Sequence, residues 1–382
     1  MDRRTFLTAA AATPMGVSLL GLPLAGAPKS ELPDYRVVTK YPHGVVSSGM
    51  PGRYPGQVVR VNAANSIDVA TEKINVPVME DMISRGMREL TGMKDARDAW
   101  RSFFEPNDVV GIKTNCSGAP LVMSSPEVVA NIVANLMAVG VKASNIWVYE
   151  RFPDQMATVG YEKYLPEGVH VDGVEKTRQS ILGYDPNTYV EVDFFGEDDT
   201  RSMLVRNVSE RFTKIINVPN MKDHGASGVT GCLKNIAYGN FSNVARSHQF
   251  SKTNTLSFIG TLASVEPLRT KTVLNIMDGM RGVWHGGPFL HDKRFRFYPK
   301  QMMFGTDPVA MDRLMMDVVE ERRKQEGAIS VWDRSQKSVK QGFTSDPNAN
   351  NFVREPGHIE FAGGKGLGVY DIKQIREKAF TL

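Results

Sequence analysis

The sequence predicts an α/β protein with a mostly parallel sheet flanked by helices. Short runs of β-branched residues alternate with segments of helical spacing, and one region has the full pattern of a βαβ unit. In that unit a buried strand at 109–113 is followed by a helix from Pro126 to Gly140 and a strand at 146–149. A right-handed crossover makes the two strands parallel. The chain length allows one large domain or two subdomains.

The remaining elements continue this alternation on either side of the unit. Ser125 gives the helix of the unit a cap residue, and Asp307 is placed to cap a later helix. Further strands are predicted at 58–61, 189–195, 203–205, 214–218 and 272–277, and further helices at 76–90 and 309–323.

We assign the α/β domain to residues 57–325, a leader segment to 28–56 and a loop-rich C-terminal extension to 326–382.

The N-terminus has the features of an export signal. Arg3 and Arg4 precede an apolar, alanine-rich stretch, and the small residues Ala25-Gly26-Ala27 follow it. This order predicts a signal peptide over residues 1–27, and the adjacent arginines predict export by the twin-arginine translocase. Prolines interrupt the apolar stretch, so no stable membrane span is expected. We therefore expect the mature protein in the periplasm or outside the cell, loaded with any cofactor before export.

Composition limits the partners and cofactors. Of the 382 residues 41% are hydrophobic, the formal net charge is +4, and both signs of charge are spread along the chain. No basic run is interleaved with aromatic residues, so nucleic-acid binding is not expected. Cys116 and Cys232 are the only cysteines, and since an intrinsic iron–sulfur cluster needs about four thiolates, no such cluster is expected. The sequence leaves open whether these two cysteines form a disulfide.

The residues from 216 to 248 hold the densest group of candidates for chemistry. A predicted strand stops at Pro219 and delivers Lys222, Asp223 and His224 to its carboxyl end, where open α/β sheets bind ligands. His224 is suited to proton transfer near neutral pH. Lys234 lies in an otherwise apolar stretch, so burial would lower its pKa and leave a nucleophilic amine.

A small-residue loop separates this histidine from the lysine. Ser227, Gly228, Thr230 and Gly231 would let backbone N–H groups approach an anionic ligand, with a helix N-terminus directly after them. Their spacing matches neither the Walker A loop nor the dinucleotide fingerprint. A tight turn required only for packing is equally consistent with these residues.

Two further groups of residues suggest a metal. His248 and Asp278 are candidate ligands, and with His224 they would suit a metal-dependent hydrolase. His285 and His291 lie on a segment rich in glycine and proline, for which we expect a surface loop in preference to a metal site.

An ordered set of motifs resembles the domain-of-unknown-function family DUF362 over roughly residues 57–320. The motifs are Gly111-Ile112-Lys113-Thr114-Asn115, Ser125-Pro126-Glu127-Val128-Val129, Ile216-Asn217-Val218-Pro219 with Lys222 and His224, Gly228-Val229-Thr230-Gly231 with Lys234-Asn235, Met277-Asp278-Gly279 with Gly287-Pro288, and Asp307-Pro308-Val309-Ala310 with Asp312. Many members of that family carry ferredoxin-like cysteine motifs, which this chain lacks. The family name supplies no reaction.

The order of residues is also similar, more distantly, to the nickel-pincer lactate racemases. The resemblance implies that Lys234 tethers a cofactor, that His224 transfers a proton and that His248 is a metal ligand. Glu150 stands where those enzymes have a further histidine, so we assign it as a second base. Residues Lys113, Asn115, Ser227, Gly228, Thr230, Gly231 and Asn235 are then expected to bind the cofactor.

These observations predict an exported enzyme that acts on a small-molecule ligand. The expected site lies at the carboxyl ends of the strands and holds a metal ion or an anionic cofactor of unidentified type, with acid–base chemistry on a small carboxylate as the expected reaction. Two alternatives stay open, a non-catalytic protein that binds an anion or a phosphate ligand, and the metal-dependent hydrolase.

Overall fold

Two β-sheets and the surrounding helices make up the computed structural model of the chain. It describes residues 32–42, 49–176, 182–249, 252–290, 292–335, 337, 339–340 and 345–382. The expected signal peptide at 1–27 and His291 lie outside the described residues. Among the described residues no helix is both long and apolar enough to cross a membrane.

Fourteen strands run through the described residues. In chain order they are β1 (Arg36–Val38), β2 (Gln57–Asn62), β3 (Val110–Lys113), β4 (Ile146–Glu150), β5 (His170–Gly173), β6 (Tyr184–Glu191), β7 (Arg201–Val205), β8 (Lys214–Asn217), β9 (Asn220–His224), β10 (Gly228–Thr230), β11 (Thr272–Val283), β12 (Arg296–Phe297), β13 (Gln301–Gly305) and β14 (Arg376–Thr381).

The large sheet has 11 strands, of which eight follow the order β14-β2-β13-β11-β8-β3-β4-β5. Strands β11, β8, β3, β4 and β5 are parallel neighbours, while β13 runs antiparallel to β11 and β2. Strand β9 pairs with both β11 and β10, and β12 adds to β11. The predicted α/β class with a mostly parallel sheet is therefore confirmed, and the βαβ unit has parallel strands as expected.

Helices cover both faces of this sheet. They are α1 (Val76–Thr91), α2 (Ala96–Arg101), α3 (Pro126–Ala138), α4 (Pro153–Val159), α5 (Arg206–Glu210), α6 (Cys232–Tyr238), α7 (Thr255–Ala263), α8 (Leu268–Lys271), α9 (Pro308–Gln325) and α10 (His358–Gly364). Helices α1 to α3 pack in one apolar cluster with Val110 and Ile112, and helices α6, α7, α9 and α10 pack in another with Ile215. Burial of both faces explains the continuous apolar strands.

Described parts of the expected leader segment and of the expected C-terminal extension belong to the two sheets. From the leader segment, β1 joins β6 and β7 in a separate three-stranded antiparallel sheet. The described residues of the C-terminal extension form loops up to residue 357, followed by α10 and β14, and β14 extends the large sheet beside β2. Asp307 caps α9 as expected, since its carboxylate accepts the N–H of Ala310 at 2.9 Å.

Candidate active site

Three parallel strands of the large sheet end in polar residues at one edge. Lys113 ends β3, Glu150 ends β4 and Asn217 ends β8. After Pro219 the chain continues as β9 and turns back as β10, and this β9–β10 hairpin leads directly into α6. Ligands of open α/β sheets bind at this edge, outside the carboxyl ends of the strands.

One face of the β9–β10 hairpin carries three of the candidate residues. Lys222 pairs with Thr230, and His224 pairs with Gly228. Since alternate residues of a strand share a face and paired residues lie side by side, Lys222, His224 and Thr230 are on the same face. The first turn of α6 adds Lys234, whose Nζ lies 2.9 Å from Nε2 of His224. The same Nζ lies 2.9 Å from Nε2 of His248.

Backbone contacts determine which nitrogen of His224 carries a proton. Its Nδ1 accepts the N–H groups of Ala226 at 3.1 Å and Ser227 at 3.3 Å. A nitrogen that accepts has no proton of its own, so the neutral ring has its proton on Nε2, facing Lys234. An Nε2–H group can donate only to a free amine, because an ammonium group has no lone pair. The geometry therefore requires a neutral Lys234.

The hydrogen bonds on the far side of Lys234 agree with this arrangement. Ser247 Oγ donates to the carbonyl of Val244 at 2.8 Å, so it accepts from Nδ1 of His248 at 3.3 Å. Nε2 of His248 is then free to accept an N–H from Lys234. The three side chains form a directed line from His224 through Lys234 to His248, with the amine in the middle.

Burial disfavours the charged form of each side chain in this group. It lowers the pKa of Lys234 well below its ordinary value. Burial first, and Lys234 second, lower the pKa of His224 and of His248 well below the ordinary histidine value. Lys234 and His224 are 6% and 2% exposed, while His248 is half-buried. The side of the group nearest to solvent is therefore that of His248.

A second buried lysine lies beside this group. Lys222 donates to Oδ1 of Asn115 at 2.6 Å and to Oγ of Ser117 at 3.4 Å. Among the described residues no carboxylate forms an ion pair with it, and burial is the main cause that lowers its pKa to about 7. Thr230, on the same face, has a buried Oγ1 without a hydrogen-bond partner.

A line of asparagine side chains connects Lys222 to the core. Asn115 donates to Asn235 at 3.1 Å, and Asn235 donates to Asn217 at 2.8 Å. Asn217 in turn donates to Asn275 at 2.8 Å. Because each amide oxygen in the line accepts and each NH₂ group donates, the orientations are mutually fixed. Asn115 and Asn235 thus hold the polar side chains around Lys222 in place.

Glu150 has a charge partner where a second base was predicted. Its Oε1 lies 2.8 Å from Nζ of Lys113 and accepts the N–H of Arg151 at 2.7 Å. Its Oε2 accepts the N–H of Cys116 at 3.2 Å. Oε1 of Glu150 therefore balances the charge of buried Lys113. Together the two oxygens also hold backbone N–H groups of the loops that follow β3 and β4. A catalytic role for Glu150 stays a prediction without geometric support.

The glycines of the small-residue loop make close packing contacts. A Cβ on Gly231 would lie 2.1 Å from Oδ1 of Asp312. That carboxylate caps α6, because its Oδ1 accepts the N–H of Cys232 at 2.6 Å and its Oδ2 accepts the N–H of Leu233 at 2.9 Å. A Cβ on Gly228 (φ +75°) would lie 2.9 Å from Cβ of Pro356. The N-terminus of α6 is thus occupied by a carboxylate, and the anion cradle expected there stays a prediction.

The metal candidates are not brought together. Asp278 pairs with Asn220, four residues before His224 on β9, and its carboxylate accepts the N–H groups of Ser125 at 2.7 Å and Met280 at 2.9 Å. Within the described ranges no three His, Cys, Asp or Glu side chains are grouped to hold a metal ion. His285 itself is buried beside Arg323, 3.3 Å away, whereas residues 286–290 of the same segment form a partly exposed loop, as expected.

Two residues of this region, Arg354 and His358, were not singled out from the sequence. Arg354 forms a buried ion pair with Asp223 at 2.7 Å, beside Arg323, which lies 3.4 Å from the same carboxylate, and His358 is fully buried. Arg354 and His358 lie far along the chain in a segment without a motif. Only their burial could have identified them, and a polar residue in a loop gives no sign of burial in the sequence.

The comparisons with known proteins agree with the motif order. The model of the family "Domain of unknown function (DUF362)" matches residues 110–317, more than half of the chain. The chain belongs to this family. No curated protein matches it. A similar solved structure is the crystal structure of a Thermotoga maritima protein, a structural-genomics target, at 10% identity and a TM-score of 0.37. The similarity covers 66% of this chain and only 59% of that one.

Proposed function

We propose that this DUF362 protein is an exported enzyme whose reaction depends on the free amine of Lys234. The observation that carries the proposal is the position of Nζ, 2.9 Å from each of two imidazole nitrogens. A buried lysine with a lowered pKa and a free amine is a nucleophile toward carbonyl carbon. Lys222, on the same face of the hairpin as His224, would supply a positive charge for the carboxylate of a small carbonyl compound.

The arrangement supports a carbinolamine and imine sequence. The lone pair of Lys234 attacks the carbonyl carbon, and the N–H of His224, which has lost its acceptor, then donates to the carbonyl oxygen. His248 Nε2 takes one amine proton and returns it to that oxygen. The second amine proton and the hydroxyl group leave as water, so the C=O bond is replaced by C=N.

The same residues fit the covalent attachment of a carbonyl-bearing cofactor at Lys234. Such a group, when bound, would supply an electron sink or hold a metal ion, for which His248 offers one nitrogen ligand. The described residues contribute no further cluster of metal ligands, so a metal bound by protein side chains alone, as the hydrolase alternative requires, has no support.

Reductive trapping tests the proposal. The protein is incubated at pH 7 with pyruvate and cyanoborohydride, which reduces the imine to a stable secondary amine, and the modified lysines are mapped by mass spectrometry. We expect an adduct on Lys234 at lower pyruvate concentration than on the exposed Lys94, and none at position 234 in Lys234→Arg. Equal labelling of both lysines, or no labelling of Lys234, would contradict the proposal.

Protein purified from its native host needs a separate measurement. If a cofactor already occupies Lys234, the intact mass exceeds that of the mature chain, and the extra mass maps to the peptide that contains Lys234. Trapping by pyruvate is then blocked until that group is released.

A second candidate function is anion binding without turnover, favoured by the lack of an acidic partner for Lys222. Because its pKa is about 7, Lys222 is charged at pH 6 and neutral at pH 8, so acetate should stabilise the protein more at pH 6. Thermal unfolding with increasing acetate measures this. The effect should vanish in Lys222→Met and persist in Lys142→Met, a change at an exposed lysine. Acetate binding without trapping at Lys234 would favour this function over the first.

Export is the third part of the proposal and is supported by Arg3 and Arg4 in the sequence. Cell fractionation should find the wild-type protein outside the cytoplasm and the Arg3→Lys/Arg4→Lys variant inside it. The Arg97→Lys/Arg101→Lys variant changes two arginines outside the signal and should be exported normally. Export of the first variant through the general secretory route would contradict the twin-arginine assignment.

A further inference from the structure

A segment beyond the matched family region lies against the β9–β10 hairpin. We call residues 345–358 the covering segment. Glu355 donates its N–H to the carbonyl of Ala226 at 2.7 Å, and Nη1 of Arg354 donates to the carbonyl of Gly228 at 3.0 Å. The family match ends at residue 317, so these contacts with the hairpin come from outside the matched region.

An ion pair anchors the covering segment to the hairpin. Nη1 of Arg354 lies 2.7 Å from Oδ1 of Asp223, and both side chains are almost fully buried. Up to residue 357 the segment forms no strand of either sheet, whereas the hairpin and α6 are held by regular backbone hydrogen bonds. Local opening needs least free energy where such bonds are few. Of these three parts of the site, the covering segment is therefore the easiest to displace.

Three rings surround the amine of Lys234. Its Nζ lies 2.9 Å from a ring nitrogen of His224 and of His248, and 4.4 Å from the ring centroid of Tyr238. His224 and Tyr238 are buried, whereas His248 is half-buried. A ligand that comes from solvent therefore approaches the amine on the side of His248.

Phe352 of the covering segment closes this side. Its ring meets that of His248 edge to face, with the centroids 6.2 Å apart and an angle of 72° between the planes. It also reaches the turn of the hairpin, because a Cβ on Gly225 would lie 3.4 Å from Cδ2 of Phe352. The ring thus extends from the turn to the most exposed imidazole of the site. A phenyl ring has no hydrogen-bonding group, so its effect on an approaching ligand is steric.

We propose that Phe352 is a specificity-determining residue that limits the size of ligands able to reach Lys234. The inference rests on the proposed function for the reaction that follows at the amine. Because the ring packs on the half-buried side of His248, a ligand with a bulky substituent must displace the covering segment further than a small one. The site therefore favours small carbonyl compounds over those that carry an aromatic ring.

Two isothiocyanates of different size test this role, because their reaction needs only a free amine that they can reach. The nitrogen of Lys234 bonds to the isothiocyanate carbon and an amine proton moves to the reagent nitrogen, so a thiourea forms without a leaving group. Methyl and phenyl isothiocyanate are compared at pH 8, and the modified lysines are mapped by mass spectrometry. The exposed Lys94 serves as the reference for the reactivity of each reagent.

The Phe352→Ala variant should open the site to the larger reagent. We expect the rate at which phenyl isothiocyanate labels Lys234 to rise about two- to tenfold, the range for loss of one edge-to-face aromatic contact, and the rate for the methyl reagent to rise less. Phe352→Trp, with a larger ring, should slow the phenyl reagent, and it provides the test if Phe352→Ala does not fold. Phe380→Ala removes another half-buried phenylalanine, on β14, and should be labelled as the wild type is.

The ratio of the two labelling rates separates a size limit from a general loosening of the fold. Equal changes for both reagents in Phe352→Ala would overturn the inference, and so would labelling of Lys234 that no change at Phe352 alters. Size selectivity that depends on Phe352, without any pyruvate adduct on wild-type Lys234, would support the size limit and contradict the proposed reaction. A pyruvate adduct without such size selectivity would support the reaction and overturn the inference alone.

Discussion

Nδ1 of His224 accepts the backbone N–H of Ala226 at 3.1 Å, and this contact links the turn of the β9–β10 hairpin to the charge of Lys234. The contact keeps the imidazole proton on Nε2, where it faces the amine. Protonation of Lys234 would place an N–H group against another N–H group. The amine is therefore held neutral by hydrogen-bond direction as well as by burial.

This arrangement predicts that folding stability rises with pH. In the unfolded chain Lys234 has an ordinary lysine pKa, so between its lowered folded value and about pH 10.5 unfolding takes up a proton. The free energy of unfolding then increases by about 1.4 kcal/mol per pH unit for each such group. Lys222 takes up a second proton on unfolding between about pH 7 and 10.5. Denaturant unfolding at several pH values measures the slope.

The Lys234→Met variant isolates the contribution of one lysine. Its free energy of unfolding should rise less steeply over this pH range, with a slope lower by up to about 1.4 kcal/mol per pH unit, the value for one proton. Its stability relative to the wild type should be greatest at the lowest pH of the range. Below about pH 6.5 both proteins should lose stability on acidification, because His224, His248 and His358 take up protons only when unfolded. Parallel slopes above pH 7 would show that Lys234 is charged in the folded protein.

The ion pair between Lys113 and Glu150 gives a second prediction. Glu150→Gln should lower the free energy of unfolding by about 3–5 kcal/mol, because it leaves a buried ammonium group without its counter-charge. The Lys113→Met/Glu150→Gln double variant should recover much of this loss. Glu210→Gln, which removes the exposed partner of Arg206, should change stability by less than about 0.5 kcal/mol. Normal stability with lost trapping at Lys234 would instead support Glu150 as a base.

Gly231 gives a third prediction, since no side chain fits at that position. A Cβ there would lie 2.1 Å from the Asp312 carboxylate, so Gly231→Ala should displace the cap of α6. We expect a loss of about 2 kcal/mol or more in stability and weaker trapping at Lys234, which the same helix carries. The matched control is Gly364→Ala, where nothing lies within 4 Å. Equal effects of the two changes would argue against the capping role of Asp312.

Local patterns in the sequence were sufficient for the fold class and for the line of site side chains. The βαβ unit was predicted because its strands are continuous apolar runs and its helix opens with proline. His224 and Lys234 were singled out because a strand ends before one and a helix begins before the other. The pattern that marks each of these residues lies within its own sequence neighbourhood. Hydrophobic periodicity and the residues that interrupt strands and helices are therefore enough to detect it.

The residues that surround the site could not be predicted in this way. Asp312 caps α6 across 80 residues of sequence, and the pair of Asp223 and Arg354 spans 131. Nothing near either residue in the sequence specifies its partner. The burial of His285 also depends on a distant residue, Arg323 of α9. Such contacts arise from the tertiary packing of α9 and of residues 345–358.

The two cysteines give a final prediction about the thiols. Both are free and buried in the structure, and burial raises the pKa of Cys116 to about 12 and that of Cys232 well above its ordinary value. Since only the thiolate reacts, neither should be modified by a thiol reagent at pH 8 in the folded protein. Both should react after unfolding in denaturant without reductant. A Cys116–Cys232 disulfide in the isolated protein would contradict this, because it requires one of the two thiols to leave its present packing.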